Sequence, residues 1–305
     1  MKKTAIELFA GVGGFRVGLN KIKQIDESGK AIEKKKFKFV WANQWEPSTK
    51  IQHAYDCYKI RFDCSENECS NQDISKVDKT KIPNHTLLCG GFPCQDYSVA
   101  RSLKNEQGIQ GKKGVLWWQI NEILIAKKPP FVLLENVDRL LRAPSKQRGQ
   151  AFGIMLRCFY EQGYSVEWRV INAAQYGHPQ RRRRIFIFAY KNTTNYHSKI
   201  NMNNPETVIY SKGIFAKRFP VKNVETKIRE IDITKYRDLV SVSDSFYTDF
   251  ENSGYMIDGL IYTSKTEPIE IKPITLRQII EKNVSQDLYL SEEKKEKFKY
   301  LRDSK

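Results

Sequence analysis

No apolar run in the sequence approaches the roughly 20 residues that a bilayer-spanning helix needs. The amino terminus, Met1-Lys2-Lys3-Thr4-Ala5-Ile6-Glu7, carries charge but neither a long apolar segment nor a cleavage site, so it is not a secretion signal. A cytoplasmic protein with no membrane contact is expected. Cysteine is scarce: six residues (Cys57, Cys64, Cys69, Cys89, Cys94, Cys158) in a chain of 305 do not make a disulfide scaffold. His53, Cys57, Cys64 and Cys69 lie close together, but their spacing fits no standard zinc module. Ordinary reduced thiols and no metal are expected. Acid is short as well. The 35 Asp and Glu stand against 52 Lys and Arg, a formal charge of +17, and so large an excess favours a polyanionic partner.

What remains is globular: 40% hydrophobic and 12% aromatic residues, enough for one large domain with a smaller appendage. Thr4 to Phe9 reads as a short buried strand running into the glycine turn Ala10-Gly11-Val12-Gly13-Gly14-Phe15, then a helical pattern of Val17, Leu19 and Ile22. Strand, glycine turn and helix amino terminus make the nucleotide-cradling unit of doubly wound folds. The spacing is not that of dinucleotide sites, which disfavours a nicotinamide cofactor. After a charged insertion at 26–36, Phe37 to Ala42 forms a second strand. Asn43-Gln44-Trp45-Glu46-Pro47 follows it, with a helix from Pro47 to about Arg61. Further strands at Thr86–Cys89, Phe131–Leu134, Val166–Ile171 and Ile185–Ala189 alternate with helices. The helices' apolar faces carry Leu116, Ile120, Ile123 and Leu124, then Phe152, Met155, Leu156 and Phe159. The alternation predicts an α/β fold, a doubly wound, mostly parallel, Rossmann-like sheet over residues 1–191. Residues 192–305 read as a small basic extension, with a helix near Leu276 to Lys282.

Chemistry concentrates in Leu87-Leu88-Cys89-Gly90-Gly91-Phe92-Pro93-Cys94-Gln95-Asp96-Tyr97-Ser98. An apolar strand stops at two glycines, and Pro93 stiffens the turn that presents Cys94. A cysteine at a strand's carboxyl end is a candidate nucleophile; a small apolar residue closing a core is the plainer alternative. Two other strand ends carry reactive groups, Glu135 with Asn136 and the run Arg181 to Arg184. Strand ends on one edge of a parallel sheet converge. Glu135 follows four apolar residues, and desolvation there favours a protonated carboxyl that can donate to a ring nitrogen. Arg182 and Arg184 alternate onto one side, while Arg181 and Arg183 turn toward solvent or phosphate. Residues 99–115, long for a plain loop, read as a lid.

These segments together resemble the bacterial DNA cytosine carbon-5 methyltransferases, which use S-adenosylmethionine. The resemblance rests on Glu7-Leu8-Phe9-Ala10-Gly11-Val12-Gly13-Gly14, Gly91-Phe92-Pro93-Cys94-Gln95, Glu135-Asn136-Val137 and Gln180-Arg181-Arg182-Arg183-Arg184, in the family's order. It implies that Cys94 attacks carbon 6 of a cytosine flipped from a specific duplex site, after which carbon 5 takes the methyl group and loses its proton. Glu135, beside Asn136, would hold ring nitrogen 3 and the amino group. Arg184 would contact the carbonyl oxygen and Arg182 would brace the thiol or the pocket. The lid would close over the extruded base. The cofactor would meet Phe9, Gly11, Val12 and Gly14, with Trp45 on the adenine, Asp73 and Ile74 at its edge, and Pro93 and Leu116 near the methionine end. Where the family has a glutamate for the ribose hydroxyls, this chain has Gln44; Gln44 or Glu46 takes that role.

Double-stranded DNA is the implied partner, and a restriction-modification system the implied setting. Thr275-Leu276-Arg277-Gln278-Ile279-Ile280-Glu281 resembles the helix before the family's target recognition domain, but neither that domain nor the closing Gly-Asn-Ser/Ala-Val segment follows. Either a smaller partner subunit, making a heterodimer, or a truncated product is implied, with the subunit preferred. An intact Cys94, Glu135 and Arg184 set argues against a non-catalytic DNA-binding paralogue. An RNA cytosine methyltransferase would carry a Cys-Phe-Thr segment or a second catalytic cysteine. A small-molecule methyltransferase would leave the charge of +17 unexplained.

Overall fold

The structure, a computed structural model, describes residues 2–92, 116–222 and 227–303. Its first strands are β1 (Thr4–Leu8), the hairpin β2 (Ile22–Ile25) and β3 (Ala31–Glu33), β4 (Lys38–Asn43), β5 (Cys69–Ser70), β6 (Leu87–Gly91) and β7 (Phe131–Asn136). They are followed by β8 (Tyr164–Asn172), β9 (Arg183–Lys191), β10 (Arg229–Asp232), β11 (Ser253–Ile257) and β12 (Leu260–Ser264). Ten of these make one sheet in the order β10-β12-β11-β8-β9-β7-β6-β1-β4-β5. From β7 to β5 every neighbouring pair is parallel, and from β7 to β10 every pair is antiparallel. Residues 192–264, expected beyond a boundary at 191, thus lend three strands to the same sheet.

Parallel neighbours need long crossovers, here built around helices α1 (Gly14–Asn20), α2 (His53–Phe62) and α3 (Leu116–Lys127), while α4 (Gln150–Glu161) carries the chain from β7 to β8 beyond β9. Ile120, Ile123 and Leu124 of α3 and Phe152, Met155, Leu156 and Phe159 of α4 are fully buried, as their spacing predicts. Trp117 meets the edge of Phe159 at 5.3 Å, and Phe152 stands edge-on to Trp168 at 5.1 Å and Phe250 at 5.0 Å. Each aromatic ring buried this way contributes roughly 2–3 kcal/mol from water exclusion alone. This core fixes the ends of β6 and β7, where the chemistry-bearing residues stand.

Four local expectations are corrected. The helix expected from Pro47 begins at His53, because the Gln52 side chain holds the preceding turn, accepting from Glu46 N at 2.8 Å and donating to the Thr49 carbonyl at 2.9 Å. Ile22, read on the helical pattern of Val17 and Leu19, instead opens the β2–β3 hairpin, which takes in part of the charged insertion and is pinned by an ion pair of 2.8 Å between Arg16 and Glu33. Strand β7, read as buried throughout, alternates: Val132, Leu134 and Asn136 face the main core, while Phe131 and Leu133 are only partly covered on the other face. The helix near Leu276 is a single 3-10 turn, Leu276–Gln278. Leu276, Ile279 and Ile280 are exposed there, and a helix without a packed face has little to propagate it. Among the described residues no helix is long and apolar enough to cross a membrane.

Candidate active site

Strands β6 and β7 run side by side and in parallel, pairing Gly91 with Glu135 at their carboxyl ends. Antiparallel β9 lies on the far side of β7 and brings its first residues, Arg183 and Arg184, to the same edge. Glu135 Oε1 lies 3.1 Å from Arg182 Nη2 and 3.1 Å from Arg184 Nε. The apolar enclosure expected for Glu135 is not found. Its side chain is 20% exposed, and two guanidinium groups take the place of the apolar wall. Arg183, one step along the strand, turns the other way and pairs with Asp138 at 2.7 Å.

Asn136 is buried and holds the edge together. Its Nδ2 donates to the carbonyl of Phe92 at 2.9 Å, and its Oδ1 accepts from Val137 N at 2.8 Å. The end of β7 is thereby tied to the residue that precedes Pro93 and Cys94. Pro93, Cys94 and the segment 99–115 lie outside the described residues. Among the described thiols, burial pushes Cys89 up and Cys158 up to about 12, which leaves both poor nucleophiles. Among the described residues no group of three His, Cys, Asp or Glu side chains could hold a metal ion.

Of the residues expected on the cofactor side, Phe9, Gly11, Val12, Gly14, Gln44 and Trp45 follow the ends of β1 and β4. Phe9 (φ 52°) and Gly11 (φ 55°) both take the left-handed conformation as the chain leaves β1. A Cβ on Gly11 would meet nothing within 4 Å, so this turn faces open space. Gly14 opens α1 with equally free surroundings. Gly13 differs, since a Cβ there would stand 2.3 Å from Phe62; it is needed for packing α2. Exposed Val12 and Trp45 flank the opening. Asp73 caps the 3-10 turn Ile74–Lys76, accepting from Ser75 N, while the Ile74 side chain is buried in the core. Leu116 is partly buried at the start of α3. The open space at Gly11 and Gly14, with the exposed apolar surfaces of Val12 and Trp45 beside it, leaves room for a nucleoside cofactor. Gln44 is turned onto the glycine turn, its Oε1 accepting from Gly11 N at 2.7 Å, whereas Glu46 is exposed.

Three residues escaped sequence reasoning. Glu7 lies beneath the glycine turn, accepting from Phe15 N at 2.9 Å and from the Tyr58 hydroxyl at 3.3 Å; burial pushes its carboxyl up to about 7. Lys79 is buried with its Nζ on the carbonyls of Ile74 (2.7 Å) and Val77 (3.0 Å) and on Gln119 Oε1 (2.7 Å). It locks the turn that follows Asp73 onto α3. Gly91, part of a recognised motif, is the third: a Cβ there would stand 3.2 Å from Glu135 Oε2. Glu7 and Gly91 both stand in recognised motifs, though without a role assigned to either, and Lys79 has no signal in the sequence at all.

Residues 3–301 match the family described as C-5 cytosine-specific DNA methylase. The type II methyltransferase M.Sau3AI of Staphylococcus aureus is 49% identical over 306 residues, covering 100% of this chain and 71% of its own length. M.HhaI of Haemophilus parahaemolyticus is 33% identical over 190 residues, 62% of this chain and 50% of its own. M.NgoBI of Neisseria gonorrhoeae is 34% identical over 190 residues, 62% of this chain and 51% of its own. This chain therefore spans about half the length of the latter two. In the Staphylococcus protein the matched region and the remaining length share one polypeptide, which gives no support to a separate smaller subunit. With a match along nearly its full length and so similar a relative, the chain belongs to the C-5 cytosine-specific DNA methylases, a family of S-adenosylmethionine-dependent enzymes.

Proposed function

We propose that this chain methylates carbon 5 of cytosine in double-stranded DNA, as the modification enzyme of a type II restriction-modification system. The observation that carries the reading is Glu135 Oε1 shared between Arg182 and Arg184 at the strand edge where β6 leads into Phe92-Pro93-Cys94. A carboxyl group flanked by two guanidinium donors matches a cytosine edge. The carboxyl meets ring nitrogen 3 and the amino group, and a guanidinium meets the carbonyl oxygen. Such an edge is reached only by a base that has left the duplex stack.

Cys94 forms a bond to carbon 6, and the electron pair displaced from the ring double bond makes carbon 5 nucleophilic. Glu135 stabilises that electron-rich ring at nitrogen 3, and Arg184 does so at the carbonyl oxygen. Arg182 braces Glu135 and adds positive charge that favours the Cys94 thiolate. S-adenosylmethionine supplies an electrophilic methyl group. Once carbon 5 carries the methyl group, loss of its proton to solvent water returns an electron pair to the ring, breaks the bond to carbon 6 and frees the Cys94 thiolate. On the cofactor side, Phe9, Gly11, Val12 and Gly14 form the cradle, Trp45 covers the adenine, and Asp73 and Ile74 border it, the latter through its backbone. Pro93 and Leu116 are assigned to the methionine end. Gln44, with its oxygen engaged by Gly11, has its amide nitrogen left for a ribose hydroxyl.

Tritium-labelled methyl transfer tests this reading. Unmethylated duplex DNA should accept label from S-adenosylmethionine, RNA should not, and Cys94→Ala should abolish transfer. Label appearing in RNA alone, or surviving in the Cys94→Ala protein, would overturn it.

A further inference from the structure

On the other side of the β7–β9 ladder from Glu135 lies a second feature, an open groove of about 270 Å³. Its walls carry Arg139, Arg142, Arg183 and Lys265 against only Asp138 and Glu251. Both acids are already engaged, Asp138 by Arg183 at 2.7 Å and Glu251 by Arg229 at 3.4 Å. Among the described residues neither Arg139 nor Arg142 has an acidic partner within 4.0 Å. The groove is therefore left with a surplus of positive charge.

The local fold explains why these cations face one way. Asp138–Arg142 is a 3-10 helix, in which residues three apart eclipse one another. Leu140 and Leu141 are buried in the main core and anchor the turn, so Arg139 and Arg142 project together into solvent. The turn follows Glu135 and Asn136 directly, and Arg183 sits between the two arginines that hold Glu135. Position and charge are thus coupled to the base-holding edge by only a few residues of chain.

We propose that this groove seats phosphodiester groups of the strand whose base enters the Glu135 edge, with Arg139 and Arg142 making the contacts. The inference rests on the function proposed above. A base drawn out of a duplex carries its own backbone with it, and flanking phosphates must come to rest beside the pocket. Two guanidinium groups without acidic partners are suited to hold them, and phosphate contacts of this kind set position without reading sequence.

The test compares the full chain with the double variant Arg139→Gln/Arg142→Gln, and with Lys34→Gln/Lys35→Gln as a control for bulk charge on the remote hairpin. Binding to a short mixed-sequence duplex is followed by fluorescence anisotropy across a salt series, with inorganic phosphate as competitor. Each lost phosphate contact lowers the slope of log affinity against log salt by about 0.9, so two contacts give a loss of about thirtyfold near 0.15 M salt. The hairpin control should change far less, and S-adenosylmethionine affinity and melting temperature should hold in both variants. Weakening by free inorganic phosphate well below the level expected from ionic strength, without duplex dependence, would reassign the groove to a free anion and overturn the proposal. Equal losses in the two double variants, or an unchanged slope in Arg139→Gln/Arg142→Gln, would also overturn it. Methyl transfer to DNA by the parent chain in the same preparation separates this failure from failure of the methyltransferase reading.

Discussion

Two glutamates stand two strands apart in the parallel half of the same sheet, and they are treated in opposite ways. Glu7 on β1 is enclosed beneath the glycine turn and satisfied by an amide and a phenol, both neutral donors. Glu135 on β7 is part-exposed at the strand edge and is satisfied by two cations. Neutral donors in a dry site leave burial to dominate, and Glu7 is pushed up to about 7. The comparison sets one carboxyl in the floor under the glycine turn and the other at the strand edge where the proposed reaction takes place. A side chain can look alike in sequence, on a similar strand, and yet serve architecture in one place and chemistry in another.

The sharpest way to break the comparison is to make the two carboxyls neutral amides in turn. Glu135→Gln removes the anion that Arg182 and Arg184 share and, in the proposed mechanism, the group that stabilises ring nitrogen 3. Single-turnover methyl transfer should fall by about 10²–10⁴-fold, the range for removing a positioned acid–base group. Because Glu135 is part-exposed, melting temperature should change little. A fall in stability without loss of rate would place Glu135 with Glu7 as a structural residue.

Glu7→Gln should do the reverse, and its signature is a pH dependence. The folded-state value of about 7 lies above the ordinary 4.5, so the folded protein retains a proton that the unfolded chain releases. Stability from this group is complete below about pH 4.5 and is lost as pH rises through about 7, at most about 3 kcal/mol. Glu167, buried on β8 and accepting from Tyr196 at 2.7 Å, is likewise pushed up to about 7 by burial and titrates in the same window. Glu7→Gln should therefore remove about half of the stability change between pH 5 and pH 8, read from denaturant melts at each end. A parallel curve for parent and variant would mean that Glu7 does not titrate in that window.

The contrast also marks what sequence reasoning can reach. Glu135, Arg182 and Arg184 were legible because each abuts an apolar run, and the two-residue period of a strand says which arginines share a side. The buried faces of α3 and α4 were legible for the same reason, periodicity against a single core. Glu7 was not. Its role depends on Tyr58 across a long crossover and on Phe15 in the next turn, and no local pattern separates a floor residue from a strand-end acid. Lys79 was hidden likewise, since its head group is fixed by backbone carbonyls of Ile74 and Val77, which carry no sequence signal, and by Gln119, forty residues on. Strands β10 to β12 were not placed because they are short and antiparallel, and because β11, buried on both faces, and β12, rich in Tyr, Thr and Ser, show no apolar-polar alternation. Gln44 shows a further limit, in that an amide expected to face a ligand is claimed by a backbone donor of the neighbouring turn.

The smallest of the expected effects probes the edge through a residue with no functional group. Gly91 pairs with Glu135 across the β6–β7 ladder, and a Cβ there would stand 3.2 Å from Glu135 Oε2. That contact is tight but not prohibitive, and its nearest atom is the end of a side chain, so Gly91→Ala should fold. The carboxyl group must give by a few tenths of an ångström, against the hold of Arg182 and Arg184. A displacement of that size at a positioned group costs about tenfold in methyl transfer, less than the 10²-fold associated with a full ångström. Gly90 offers the matching control on the same strand: its Cβ would meet the Leu8 carbonyl at 2.9 Å, a backbone atom that cannot step aside. Gly90→Ala should therefore lower melting temperature, while Gly91→Ala lowers rate at nearly constant melting temperature. The same two-glycine turn would then divide as the two glutamates do, one position for the fold and the next for the chemistry.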